Sequence, residues 1–265
     1  MAKKTLKLGD KTYRIVDLSY KMYAGKMERY FEIEDLDVLG DQGVSKYHKG
    51  HSRTRSTDEG KERMSVKKGV RYFEQVMHLL DHVGTHIEMP LHYGGEGDSD
   101  SFPIEKLVLA PTAVVDIRHL VPGKPITRKD LKKVKKGDIV LLYSGVVDEL
   151  MGPSDIGGML EKWESSVERA PLLTQEAIDF FIEKKVVAIG PDKWQGRCEY
   201  HRKDTGELVF NPTHQILMKE NGLAIIESPG NLKLLKKDRV LLIALPWPVP
   251  GLEACPLRLI ALEEK

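Results

Sequence analysis

His82, His86, Glu88 and His92 bring three imidazoles and one carboxylate into eleven residues of a chain that has nine histidines in all. Neutral imidazole nitrogen and carboxylate oxygen are the ligands that zinc, manganese and iron select. All four lie at even positions, so an extended backbone puts them on one face and Val83, Ile87, Met89 and Leu91 on the other. Pro90 rules out a helix through the stretch, because its ring lacks an N–H and clashes with the preceding turn. In a straight strand His82 and His86 would stand about 13 Å apart, whereas one ion needs both nitrogens at about 2.1 Å. The chain must therefore bend between them, and Gly84 is the residue that permits it. His86 and Glu88, two apart, reach one ion more easily. Pro90 redirects the chain once more and aims His92 at the ion's open position rather than at the ion. The chemistry predicted is that of a metal site with turnover attached.

Such a site needs further ligands, and the best candidates are His214 and Glu227. Asn211 is placed to cap a helix with Pro212 at its first position, and Asn221-Gly222 stops it. A strand then returns through Ile226. Nine helical residues rise about 13 Å and five strand residues about 16 Å, so an antiparallel return brings Glu227 back beside His214. Taken alone, each also reads as an ordinary helix-start polar group or turn carboxylate.

The elements that must hold these groups are mostly strands. Apolar runs rich in Val, Ile and Leu recur at Tyr13–Leu18, Thr112–Ile117, Ile139–Val146, Val186–Gly190, Leu223–Ile226, Val240–Leu245 and Leu257–Leu262. Several are continuous rather than alternating, which predicts strands covered on both faces. Thr127 is expected to cap a short helix through Val134. Thr174 is expected to cap a longer one, with Ile178, Phe181 and Ile182 as its buried stripe. The whole reads as an α/β or α+β fold with more strand than helix. No Pro/Gly/Ser-rich linker divides the 265 residues, so one domain with one large core is expected.

Composition narrows the function classes. Lys and Arg (41) nearly cancel Asp and Glu (40), so no global field draws the chain to nucleic acid or membrane. There is no apolar run of signal-peptide or membrane-span length. Cys198 and Cys255 cannot form a disulfide framework, which predicts a soluble cytoplasmic protein. Residues 44–71 are polar, with eight Lys/Arg against three Asp/Glu between Lys46 and Lys68, and include His48 and His51. They read as a solvated loop, or as a lid or subunit-contact arm near the site; nucleic-acid binding there lacks interleaved aromatics before Tyr72.

The pattern His82-x-Gly84-Thr85-His86-x-Glu88-x-Pro90-x-His92 resembles the signature of the cyclase family of metal-dependent hydrolases, the family of bacterial kynurenine formamidase. Supporting segments follow in the family's order. They are Val16-Asp17-Leu18-Ser19, Ile126 to Leu131, Gly137 to Leu142, Pro171 to Thr174, Ala188 to Asp192, and His214 to Glu227. The resemblance implies a swivelling β/β/α fold, a strand-rich single domain with flanking helices, assembled as a homodimer or homotetramer. It also implies one or two divalent ions, zinc or manganese. His82, His86 and Glu88 would hold the first, Glu88 would bridge, and His214 with Glu227 would complete the second. Glu88 stands where the family most often has aspartate. His92 would be the catalytic acid/base.

A bound divalent ion lowers the pKa of its water and polarises a carbonyl oxygen. The reaction expected is attack of the resulting hydroxide on the amide carbonyl of a small formamide-type substrate, with His92 passing the proton to the leaving nitrogen. Opening of a cyclic imide, an isatin-like ring or a lactone would use the same groups. A metal-dependent binding module without turnover is the remaining alternative, though closed structural zinc sites usually take four ligands, often with cysteine. Trp194, Tyr72 and Phe73 could wall a substrate pocket or be ordinary packing residues.

Overall fold

The continuous apolar runs form the middle of one ten-stranded mixed sheet. The computed structural model describes residues 5–22, 77–146, 148, 167–193 and 198–265, and the backbone of 31–36 and 74–76. The polar stretch 44–71, with Tyr72, Phe73 and Trp194, lies outside the described residues. The chain divides into two compact units, Met1–Met22 with Asp81–Lys265, and Tyr23–Leu80. In the second, β3 (Phe31–Leu36) pairs antiparallel with β4 (Glu74–Leu79).

In the first unit four strands run parallel at the centre: β6 (Ala110–Asp116), β7 (Ile139–Tyr143), β8 (Ala188–Pro191) and β11 (Ala224–Glu227). One flank adds β12 (Arg239–Ile243), β14 (Ile260–Glu264), β2 (Lys11–Asp17) and β1 (Thr5–Leu8), each antiparallel to its neighbour. The other adds β5 (His86–Glu88) and, at the edge, β13 (Ala254–Pro256), again antiparallel. A short pair, β9 (Tyr200–His201) and β10 (Leu208–Val209), stands apart from the sheet.

Both faces of the central strands are covered, as their unbroken apolar runs require. Val140, Leu142, Ile189 and Ile225 point into one core, where they meet Ile178 and Phe181 of helix α1 (Gln175–Glu183). Ile139, Leu141, Ala188 and Ile226 point into a second core with Val16, Ile87 and Met89. Thr174 caps α1 by accepting the Ala177 N–H, and Ile178 and Phe181 are fully buried while Ile182 is partly so. Among the described residues no helix is long and apolar enough to cross a membrane.

Three expectations change. The run from Ile139 leaves the sheet after Tyr143, because the N–H groups of Ser144 and Gly145 donate to the Asp192 carboxylate rather than to a ladder. The run from Leu257 joins the sheet only at Ile260, because residues 257–259 form the connection between β13 and β14. The segment after Thr127 forms successive i→i+3 turns instead of a helix. There the Thr127 hydroxyl and N–H both donate to Asp130, and only Leu131 and Val134 among the following residues reach the core.

Candidate metal centre

Strand β5 supplies the floor of the site. Ile87 enters the second core, so His86 and Glu88 face the side of the sheet that carries α1. In the β11–β5 ladder Glu227 lies directly opposite His86, and Ile225 opposite Glu88. His214 descends onto the same face from the helix Thr213–Glu220, whose Ile216, Leu217 and Met218 pack in the α1 core. That helix is wound with the wider i→i+5 turn rather than as the α-helix expected, and Pro212, not Asn211, stands at its cap position. Glu227 returns to the same corner, as the matched lengths of helix and strand predicted.

His82 comes from the turn before β5. Gly84 takes φ +68°, the left-handed bend that folds His82 back over His86. Their ring centroids are 5.1 Å apart instead of a strand's span. Thr85 pins the bend: its hydroxyl donates to Ser228 O (2.8 Å) and accepts the Tyr20 N–H (3.0 Å). It thereby ties the motif to the residue that follows Glu227. Pro90 opens the 3-10 turn Pro90–Tyr93, which swings His92 to a ring distance of 4.6 Å from His82 and 5.5 Å from His214.

The predicted residues therefore converge. Glu88 Oε1 is 3.5 Å from both His82 Nε2 and His86 Nε2, while its Oε2 is 3.3 Å from His214 Nε2. Glu227 Oε2 stands 3.8 Å from His86 Nε2. Two groups can each gather three donor atoms round an ion, His82 with His86 and Glu88, and Glu88 with His92 and His214. A third, His82 with His92 and Glu253, brings in a residue that sequence reading did not single out.

The ring nitrogens turned away from this centre are all engaged. His82 Nδ1 meets Asp81 Oδ1 (3.0 Å), His86 Nδ1 the Gly84 carbonyl (3.0 Å), and His214 Nδ1 the Asn211 side-chain oxygen (2.7 Å). His92 Nδ1 is in hydrogen-bond contact with Glu253. Each partner is an oxygen acceptor, so each neutral ring carries its proton on Nδ1 and turns an Nε2 lone pair inward. This is the outer hydrogen bonding that orients ligand histidines in metal sites.

The inward atoms lack such partners. Among the described residues, His82 Nε2, His86 Nε2 and Glu88 Oε2 are buried without a hydrogen-bond partner. Lone pairs facing lone pairs in a buried corner repel unless protons or a cation lie between them. The chemistry of this donor set, two imidazole nitrogens and a carboxylate oxygen, fits divalent metal.

Without an ion, protons on the imidazoles take the part of the counter-charge. Burial pushes the Glu88 carboxyl up, but His214 and His86 beside it outweigh burial and hold it at about 2. His86 is raised above its ordinary value; burial opposes the shift, while Glu88 and Glu227 favour the imidazolium. Glu227 is raised, first by burial and then by the Glu88 charge. Buried Lys193, just beyond β8, is brought down to about 8 by burial, with Glu227's charge pulling it back.

The cyclase family model matches residues 16–196, more than half of the chain. The chain belongs to the cyclase family. No curated protein sequence matches it. Among solved structures, isatin hydrolase A from Labrenzia aggregata bound to benzyl benzoate is similar over 96% of this chain and 94% of that one, with 20% identity and a TM-score of 0.63. Isatin hydrolase A from Ralstonia solanacearum is similar over 95% and 92%, at 19% identity and a TM-score of 0.63. A predicted metal-dependent hydrolase from Bacillus stearothermophilus matches over 95% and 98%, at 20% and 0.58. These likenesses place the strand-rich α/β sheet among the cyclase folds. The family match covers His82 to His92; His214, Glu227 and Glu253 lie beyond its span.

The residues that sequence reading missed differ in how visible they were. Asp81 adjoins His82, and Thr85 sits inside the motif. Asn211 was noticed for a cap, yet its side chain holds His214 instead. Glu253 lies 161 positions from His92 and carries no local signal.

Proposed function

We propose that this cyclase-family protein is a metal-dependent hydrolase of small amides, formamide-type as in kynurenine formamidase. The observation that carries the reading is the set of three buried, unpartnered atoms: His82 Nε2, His86 Nε2 and Glu88 Oε2. His82, His86 and Glu88 would hold the first ion. The division of Glu88's oxygens, Oε1 toward His82 and His86 and Oε2 toward His214, supports a bridging role with His214 on a second, which Glu227 would complete. Zinc and manganese both suit a set of imidazoles and carboxylates. A bound ion would acidify water and polarise the substrate carbonyl.

The chain's own residues do the rest. Asp81, the Gly84 carbonyl and Asn211 keep the ligand rings aimed inward before any ion arrives. His92, half-buried beside the ligand cluster, has one nitrogen held by Glu253 and stands with Glu88 and His214 in the same cluster. A neutral imidazole so placed takes a proton from the attacking water and returns it to the leaving nitrogen. Ring opening of a cyclic amide such as isatin follows the same proton path, and the likeness to isatin hydrolases favours including it. The reading further makes the protein a cytoplasmic homodimer or homotetramer acting on a small molecule.

Metal analysis of the purified protein tests this together with hydrolysis assays on N-formylkynurenine, isatin and cyclic imides. At least one equivalent of zinc or manganese is expected, with turnover lost on chelation and restored by adding the ion back. Full activity in metal-free protein would overturn the reading.

A further inference from the structure

We propose that Glu253 is a positioning residue for the reaction: it fixes the tautomer and the direction of the His92 ring. The inference rests on the hydrolase reading for its kinetic part and on geometry alone for the rest. Glu253 reaches His92 from the far end of the chain, because edge strand β13 lays Ala254 opposite Glu88 and Cys255 opposite Ile87. The residue just before that ladder therefore falls beside Met89.

Met89, fully buried, anchors both partners. Its N–H donates to the Glu253 carbonyl (2.8 Å), and its carbonyl accepts the His92 N–H (2.9 Å). The side-chain contact between His92 Nδ1 and Glu253 closes a small ring through one buried backbone unit. The loop leading to Glu253 is itself fastened. Ser99 N–H donates to Leu252 O (2.9 Å), Gly251 N–H to Asp98 Oδ2 (2.7 Å), and Trp247 N–H to Cys255 Sγ (3.3 Å). The fastened loop brings the Glu253 carboxylate to the Nδ1 side of His92, where it accepts the Nδ1 proton. His92 is left with a lone pair on Nε2, next to Glu88 and His214, whose donor atoms lie with one of its own within 4.8 Å of one another.

The arrangement also explains why His92 differs from the three neighbouring histidines. Asp81, Gly84 and Asn211 each lie within three residues of the ring they hold. His92 alone is held from a distant segment, by Glu253 just before β13, whose Oε2 also lies 3.9 Å from His82 Nε2. A ring that must hand a proton over needs a brace that fixes its tautomer and direction.

The test compares Glu253→Gln, Glu253→Ala and Glu253→Asp in the zinc-loaded protein by three measurements. Kinetics on whichever amide the wild type turns over should show kcat lowered about 10–100-fold in Gln and Ala. KM should stay within about twofold, and Asp should recover part of the loss. Metal content should equal the wild type's in all three. Nitrogen-15 NMR of the neutral histidines should find His92 protonated on Nδ1 in the wild type and shifted toward Nε2 in Ala. An unchanged kcat, an unchanged tautomer in Ala, or loss of metal from Gln, which would make Glu253 a ligand, each overturns the proposal. If the wild type turns over no amide, the hydrolase reading fails, and the NMR result decides the role of Glu253 without it.

Discussion

Two glutamates are buried in the same sheet, on opposite flanks, and they are treated in opposite ways. Glu263 in β14 is 4% exposed and Glu88 in β5 is 2% exposed. Glu263 is surrounded by donors. Arg14 Nε lies 2.9 Å away, and the backbone N–H groups of Lys236 and Lys237 donate to its other oxygen at 2.5 and 2.9 Å. Burial pushes that carboxyl up, and those donors together bring it below its ordinary value. Glu88 meets three imidazole nitrogens at 3.3–3.5 Å and leaves one oxygen without a hydrogen bond. A buried carboxylate with fixed donors is finished structure. One that faces lone pairs awaits a cation.

The largest effect should come from breaking this contrast on the open side. Glu88→Gln keeps the shape and removes the charge that a divalent ion needs. Metal affinity, measured by competition with a chromogenic chelator, should fall by more than about 100-fold, beyond the range for outer-sphere partners. Thermal unfolding of the metal-free variant should match or exceed that of the metal-free wild type, because a poorly paired buried charge has gone. A lower midpoint in the metal-free variant would make Glu88 a structural group like Glu263.

Glu263→Gln should do the reverse. Arg14 and two backbone amides lose their charged acceptor, which costs about 1–3 kcal/mol in urea unfolding, while bound metal is unchanged. The pH dependence has a definite sign. A carboxyl whose folded pKa lies below its unfolded value of about 4.3 stabilises the fold above that value. The contribution fades as pH falls through the lowered folded pKa. The stability difference between wild type and Glu263→Gln should therefore be full at neutral pH and vanish in acid. A difference that grew toward low pH would show that Glu263 is not held ionised.

The same contrast explains what could be read from the chain alone. The four motif residues were legible because local spacing, a glycine and a proline fix their relative positions within one turn and one short strand. The central strands were legible because burial on both faces demands unbroken apolar runs. The matched helix and strand lengths pointed Glu227 to the corner of the site, where it lies opposite His86 in the ladder, even though the helix is wound more widely than expected. The partners of Glu88 and Glu263 differ in this respect. Three of the histidine braces are local, but Arg14 meets Glu263 across 249 positions and Glu253 meets His92 across 161. Such pairs depend on strand order, which no local pattern encodes. The helix expected after Thr127 failed for a related reason: two apolar residues anchor it too weakly against a lysine-rich sequence.

The smallest predicted effects separate backbone strain from site geometry, using one glycine from each setting. Gly84 (φ +68°) precedes β5, and Gly137 (φ +79°) precedes β7. Alanine at either position puts a side chain into the left-handed region, at about 1–2 kcal/mol. A Cβ at Gly137 meets nothing within 4 Å, so Gly137→Ala should lose that stability and leave metal binding intact. A Cβ at Gly84 comes within 3.1 Å of Met22 Cγ, an exposed and flexible neighbour that can yield. The stability losses should therefore be similar. Relaxing φ at Gly84, however, swings His82 away from His86, and metal affinity should fall about tenfold. Equal metal affinity in the two variants would mean that the bend at Gly84 serves only the path of the chain. Unequal affinity at equal stability would show that this glycine, two residues from each of two ligand histidines, is part of the metal site.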